Sequence, residues 1–208
     1  MSDSHEHLIR IADALAEHGC YVGRSIFDDA LTRLLALRAR ALADGGLLQA
    51  AKVGRAAYAQ HSTALRSDDT LWLDEAPVDE AERAALARIH LLRATLNQAL
   101  FVGAQTAEVH FARYAPGAFY KTHVDRFRDD DVRVISLVFY LNEAWPKDAG
   151  GELVLYGADG GGVVEASVSP QAGTMACFLS DRFPHEVLPA TRERFSLTGW
   201  LRRAPASM

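Results

Sequence analysis

The hydrophobic period of this chain changes once, and that change limits the folds open to it. Up to about residue 100, apolar residues recur every three or four positions. After Gly103 they alternate with polar ones in six short β-prone runs: TAEVHFARYA, VRVISLVFYL, GELVLYG, GVVEASVSP, TMACFLS and RFSLTGWL. Most of the runs are separated by Gly, Pro, Asp or Asn. No helical pattern of about 10 to 15 residues lies between them, so they cannot be βαβ units. The second half is expected to form an antiparallel sandwich or open barrel with the helices on an outer face, an α+β arrangement.

In the first half, Leu8, Ile11, Ala12 and Leu15 predict a short opening helix stopped at Gly19, and Tyr21 and Val22 begin a strand. Phe27 and Asp28 stand as an apolar residue and an N-cap before a second helix. One side of it is traced by Leu31, Leu34, Leu35, Arg38 and Leu42, and Gly45 and Gly46 end it. Pro77 and Asp79 open a long third helix, with Asp79 and Glu82 spaced as a capping box and Leu86, Ile89, Leu92, Leu96 and Leu100 as its buried stripe. Residues 47–76 keep no sustained period and read as a long loop with one short strand. That length suits either a lid or a plain surface excursion.

At about 150 residues per domain, the 208 residues fit one domain, with 1–103 as helical support and covering loop and 104–203 as the β core. Lysine and arginine number 22 against 27 aspartates and glutamates, a formal charge of -5 that argues against a broad nucleic-acid surface. Cys20 and Cys177 are too few for a disulfide framework and form no Cys-x-x-Cys pair, so a reducing cytoplasm is the simplest compartment. Cys177 alternates within its run as a small buried hydrophobe. The start, MSDSHEHLIRIADALAEHG, lacks the apolar stretch of a signal peptide and places His5 and His7 in an exposed terminus. No segment reaches the roughly 20 apolar residues of a membrane helix. GADGGG at 157–162 has neither the lysine nor the helix of a phosphate loop and reads as a hairpin turn.

The chemistry concentrates in ARYAPGAFYKTHVDRF. His123 and Asp125 stand two apart at the end of an extended segment, which points both side chains to one side. By itself a His-x-Asp pair is a weak signal. His185 would complete two histidines and one carboxylate on one face of a metal, a set that suits non-haem iron(II) and also zinc. In RERFSLTGWLRR, alternation puts Arg194, Ser196, Thr198 and Trp200 on one face. An arginine inside a barrel needs an anion, and a dicarboxylate such as 2-oxoglutarate would meet that need, with Thr198, Tyr114 and Tyr140 as neighbours.

These residues carry a family resemblance over about 90 positions. From Tyr114 onward the chain resembles the Fe(II)- and 2-oxoglutarate-dependent dioxygenases, specifically the prolyl hydroxylases of the oxygen-sensing type and their bacterial relatives. RYAPGAFYKTHVD is similar to that group's tyrosine, proline-glycine, tyrosine and His-x-Asp run. VRVISLVFYLNEAW is similar to its strand and Tyr-Leu-Asn-x-x-Trp turn, and DRFPHEVLPATRERFSLTGW to its Pro-His-Glu-Val and closing arginine strand. The resemblance implies a double-stranded β-helix of jelly-roll, cupin-like form. It also implies iron ligands His123, Asp125 and His185, with Arg194 on the 2-oxoglutarate C5 carboxylate and Tyr114, Tyr140 and Thr198 as its hydrogen-bonding neighbours. Arg133 and Trp200 are then expected at the substrate mouth, and LRSDDTLWLDE, similar to an Arg-Gly-Asp-x-x-x-Trp segment, would bring Arg66, Asp68 and Trp72 to a loop over the substrate. Ser67 stands here in place of the glycine.

What the resemblance implies of activity is hydroxylation of a prolyl residue in a protein or peptide, with Fe(II), 2-oxoglutarate and O2 consumed or held, succinate and CO2 released, and ascorbate as reductant. A carboxylate at Asp125 fits hydroxylation and not halogenation. Two other readings stay open: the same chemistry on a free amino acid or other small molecule, and a non-enzymatic or zinc-binding barrel. Arg194 separates the last from the rest, because a zinc hydrolase has no need of a buried dicarboxylate anchor.

Overall fold

In a computed structural model, which describes residues 3–51, 64–126, 132–157 and 162–204, the change of period becomes a change of layer. The described residues form helices α1 (Asp3–His18), α2 (Asp29–Asp44) and α3 (Glu80–Leu100). Their strands are β1 (Cys20–Arg24), β2 (Gln49–Ala50), β3 (Asp69–Trp72), β4 (Thr106–Tyr114), β5 (Tyr120–His123), β6 (Arg133–Tyr140), β7 (Leu153–Tyr156), β8 (Val164–Val168), β9 (Thr174–Leu179), β10 (His185–Val187) and β11 (Arg194–Arg202). A larger sheet runs β1-β9-β6-β11-β4-β3-β2 and a smaller one β5-β10-β7-β8. Their pairings are antiparallel. This is the double-stranded β-helix that the resemblance implies.

Alternation along each strand of the larger sheet assigns its two faces. Phe111, Ile135, Leu137, Phe139 and Leu197 join Ile11, Leu35, Ile89, Leu92 and Leu96 of the helices in one core. Each fully buried aliphatic side chain there contributes about 1.5–3 kcal/mol. The opposite face turns Ala112, Tyr114, Val138 and Tyr140 toward Leu153, Leu155 and Val168 of the smaller sheet, in a second core. The helices thus stiffen one side of the larger sheet and leave the other free to build a site.

Local chemistry explains the helix starts. Asp28 caps α2 by accepting from Leu31 N at 2.9 Å, and Asp79 caps α3 by accepting from Glu82 N at 3.1 Å. The Glu82 carboxylate accepts from Arg38 Nε at 2.8 Å, tying α3 to α2. The buried stripe of α2 is Leu31, Thr32, Leu35, Ala36, Ala39 and Leu42. Leu34 is 54% exposed and Arg38 turns to Glu82, so neither belongs to the apolar side expected of them: small alanines let the helix sit close and shift its contact line.

Three other local features differ from expectation and a fourth agrees with it. Two short strands, β2 and β3, arise within 47–76, and β3 extends the larger sheet beside β4; residues 52–63 of the expected lid lie outside the described residues. β5 and β10 are strands in their own right, too short to show a period. His7 is not free at the terminus, since its Nε2 meets the Tyr21 hydroxyl at 3.0 Å. GADGGG spans the β7–β8 hairpin, closed by Gly157 N donating to Val163 O at 2.9 Å, with 158–161 outside the described residues. No helix among the described residues is long and apolar enough to cross a membrane.

Candidate active site

β5 and β10 pair so that His123 and His185 are direct cross-strand partners. Their ring centroids are 4.2 Å apart. Asp125, two residues beyond His123, lies between them: its Oδ1 is 3.6 Å from His123 Nε2 and its Oδ2 is 3.5 Å from His185 Nε2. One ligand atom from each residue lies within 4.8 Å of the others. Both rings are oriented from behind. His123 Nδ1 donates to Lys121 O at 2.8 Å and His185 Nδ1 to Phe183 O at 2.9 Å, which leaves each Nε2 lone pair facing the shared point.

Burial alone would raise the Asp125 carboxyl. His185, His123 and a hydrogen bond from Ser136 outweigh it and hold Asp125 well below the usual carboxylate range. Burial lowers His185, against the pull of Asp125, so its imidazole stays available as a neutral ligand. The donor set is two imidazoles and one carboxylate on one face, which fits ferrous iron with open positions opposite.

Across the same cavity, of about 600 Å³, lies Arg194. It is 2% exposed and pairs with no carboxylate among the described residues. Its Nε donates to Gly151 O at 3.0 Å, and its guanidinium carbon lies 4.9 Å from the Tyr114 ring and 5.2 Å from the Tyr140 ring. Gly151 has φ +79°, and a Cβ there would meet Ala190 Cβ at 2.9 Å, so only glycine brings this carbonyl to the arginine. The Tyr140 hydroxyl is buried beside Arg194 with no well-formed hydrogen-bond partner among the described residues, and burial raises both tyrosine hydroxyls, Tyr140 to about 12. A neutral donor and a fixed cation together suit one end of a dicarboxylate. Thr198 lines the cavity one alternating position beyond Ser196, its Oγ1 3.2 Å from the Ser196 hydroxyl.

The Tyr-Leu-Asn-x-x-Trp turn explains how Arg194 is aimed. Buried Asn142 donates from Nδ2 to Pro170 O and Phe195 O and accepts from Phe195 N at 2.7 Å, clasping the start of β11. Trp145 Nε1 donates to Gly150 O at 2.9 Å, beside Gly151.

The residues expected at the mouth are also present. Arg66 binds Asp68 through two bonds, Nε to Oδ1 at 2.7 Å and Nη2 to Oδ2 at 2.5 Å, and lies 4.3 Å over the Tyr120 ring. Asp68 does not line the cavity; its buried carboxylate backs Arg66. Ser67 accepts from Phe119 N at 3.1 Å and donates its own N–H to Phe119 O, so the hydroxyl that replaces glycine ties this segment to β5. Arg133 lies 3.6 Å over the Trp200 ring and shares Glu108 with Arg202. Trp72 is half exposed at the rim.

Sequence reasoning missed Glu108, His110, Ser136 and Ser180. The signal for the first two was in the β4 alternation: Glu108, His110, Ala112 and Tyr114 share one face, and all four line the cavity. Ser136 shares the inward face of β6 with Tyr140, and Ser180, just past β9, continues the inward alternation of Ala176 and Phe178.

Residues 109–202 match the family described as the 2OG-Fe(II) oxygenase superfamily. A Pseudomonas putida prolyl-4-hydroxylase of known structure is 44% identical, with a TM-score of 0.84 over 94% of this chain and 98% of that one. A prolyl hydroxylase from Trichoplax adhaerens, solved with a hypoxia inducible factor peptide fragment, has a TM-score of 0.85 at 23% identity, covering 96% of this chain and 90% of that one; at that identity it bears on the fold alone. The hypoxia-inducible factor prolyl hydroxylase of Caenorhabditis elegans is 38% identical over 86 residues, 40% of this chain and 12% of its own length. The aligned part of this chain thus spans a small fraction of that longer relative.

Proposed function

The chain belongs to the 2OG-Fe(II) oxygenase superfamily, and from that premise we propose that it hydroxylates a prolyl residue of a polypeptide, with release of succinate and CO2. The observation that carries this reading is the convergence, on one cavity, of the His123–Asp125–His185 triad and the buried guanidinium of Arg194, which has no carboxylate partner among the described residues. Ferrous iron bound with 2-oxoglutarate supplies dioxygen activation and C–H hydroxylation. The protein residues supply position and selection. His123, Asp125 and His185 hold the metal from one face, and Arg194 with Tyr114, Tyr140 and Thr198 anchors the far carboxylate of the cosubstrate. A shared cavity keeps the two groups in register and restricts water around them.

The mouth favours a polypeptide over a free amino acid. Arg66 and Arg133 already hold Asp68 and Glu108, so these mouth cations are not waiting for a free α-carboxylate. What remains for a substrate is the exposed Trp72 and neutral polar groups, a surface suited to an uncharged backbone. Arg66, Asp68, Trp72, Arg133 and Trp200 form this substrate mouth in our reading, Asp68 by fixing Arg66. The described helices and strands act as one dioxygenase domain, in the cytoplasm, with ascorbate as a reductant that keeps the iron ferrous and with no nucleic-acid or membrane partner.

The test is turnover. The protein is loaded anaerobically with Fe(II) and 2-oxoglutarate, exposed to air with cellular proteins, and the products are mapped by peptide mass spectrometry. One added oxygen atom on proline is expected. Oxidation confined to other residues, or 2-oxoglutarate turnover stimulated by a free metabolite and by no polypeptide, overturns the substrate assignment.

A further inference from the structure

Buried in the cavity wall is an imidazole that neither the metal site nor the cosubstrate anchor uses. His110 lies on β4, opposite Thr198 on one neighbouring strand and Trp72 on the other. It is 2% exposed, its side chain lines the same cavity as the triad and Arg194, and its Nδ1 has no hydrogen-bond partner among the described residues. Buried polar atoms are rarely left so, and in a ligand cavity the missing partner is commonly the ligand.

The ring cannot easily turn elsewhere. It stacks on Trp200 at 5.5 Å with an interplanar angle of 22° and meets Trp72 at 4.6 Å. The Trp72 and Trp200 centroids are themselves 6.1 Å apart, so the three rings form a triangle in which His110 touches both indoles. Its charge state is also set. Burial first, then Arg66 and Arg133, lower His110 to about 3, so at neutral pH it carries one N–H donor and one bare acceptor. Such a group matches a peptide amide, which offers the complementary donor and acceptor, and gives no special advantage to a carboxylate or ammonium.

We infer that His110 is a substrate-binding residue: its imidazole, packed against Trp72 and Trp200, hydrogen-bonds a main-chain amide of the polypeptide beside the target proline. The inference rests on the prolyl hydroxylation reading and adds the residue that selects backbone over free amino acid. The indoles supply apolar contact for the flat pyrrolidine and its neighbours. His110 supplies a directional bond in a dry setting, where leaving a polar group unpaired is most costly and therefore most selective.

The experiment compares wild type, His110→Phe and His110→Gln. Phe keeps the stacked ring without hydrogen bonding, and Gln keeps hydrogen bonding without the ring. Each full-length protein, loaded with Fe(II) and 2-oxoglutarate, is assayed with terminally blocked Xaa-Pro-Xaa peptides and with free L-proline. Calorimetric 2-oxoglutarate binding to the Mn(II)-loaded proteins checks that each variant is folded. The expected result is a peptide KM raised about fivefold to tenfold in H110F, with kcat changed less, and partial recovery in H110Q. An unchanged peptide KM in H110F overturns the role of His110 while the hydroxylase reading stands on the wild-type turnover. Wild-type oxidation of free L-proline and of no peptide overturns both, and is recognisable because it appears before any variant is compared.

Discussion

Ser136 Oγ donates to Asp125 Oδ2 at 2.6 Å, and Ser180 Oγ lies 2.9 Å behind it. Ser136 has one proton and gives it to the carboxylate, so Ser180 supplies the donor to Ser136. This buried relay fixes the rotation of the Asp125 carboxylate and leaves Oδ1 free to face the metal. Supporting hydrogen bonds of this kind are worth about 10–100-fold in metal affinity. Ser136→Ala is expected to weaken Mn(II) or Fe(II) binding by about that factor, while Ser136→Thr retains it. A metal titration of the two variants checks the prediction, and equal affinity in wild type and S136A would contradict it.

Arg194 carries a different load. Its guanidinium is held by one carbonyl and two tyrosine rings with no protein carboxylate among the described residues, so removing it leaves the cosubstrate anion without its counter-charge. Arg194→Ala should reduce 2-oxoglutarate affinity by about 2–5 kcal/mol. Arg194→Lys should recover only part of it, because a point charge cannot reproduce the planar fork. Calorimetry on the Mn(II)-loaded proteins measures both, and undiminished binding by R194A would remove the cosubstrate anchor from the account.

How much of this was legible in the chain depends on whether a residue's role is local. The α+β order, the antiparallel sheets and the inward face of β11 follow from period alone, because alternation is imposed by the strand itself. The same rule applied to β4 would have given Glu108 and His110 beside Tyr114. Arg133 is different: it has the opposite parity to Ser136 and Tyr140, and it reaches the cavity because a bulge shifts the register between Leu201 and Arg202. No alternation rule finds such a residue. His123 and His185 face each other through the pairing of two strands of four and three residues, a contact across some sixty positions that no local pattern encodes.

Asp68 has its carboxylate fully buried against Arg66, whose side chain is 12% exposed. Taking the charge from Asp68 leaves a nearly buried guanidinium unpaired. Asp68→Asn should therefore destabilise the protein by about 3 kcal/mol, the low end of the range for breaking a buried pair because Arg66 keeps a wetted edge. The double variant Arg66→Met with Asp68→Leu should lie closer to wild type than D68N does. Urea midpoints of wild type, R66M, D68L and the double variant give the coupling, and strictly additive effects would show that the pair contributes no interaction energy of its own.

The buried His110 makes a prediction about pH. Its ordinary value is 6.5 and the fold lowers it to about 3, with burial as the largest cause. Between those values the unfolded chain binds a proton that the folded chain refuses, so stability rises with pH across this window and is lost as pH falls below 6.5. One such group contributes about 1.4 kcal/mol per pH unit well inside the window, or about 2 kcal/mol between neutral pH and pH 5. His185 is lowered as well, so wild type alone cannot isolate the effect. The difference between wild type and His110→Phe can: in the metal-free proteins, the loss of stability from pH 7.5 to pH 5 should be about 2 kcal/mol smaller in H110F. Urea unfolding at the two pH values measures it. Parallel losses in both proteins would mean that the ring packed against Trp72 and Trp200 takes up its proton without unfolding.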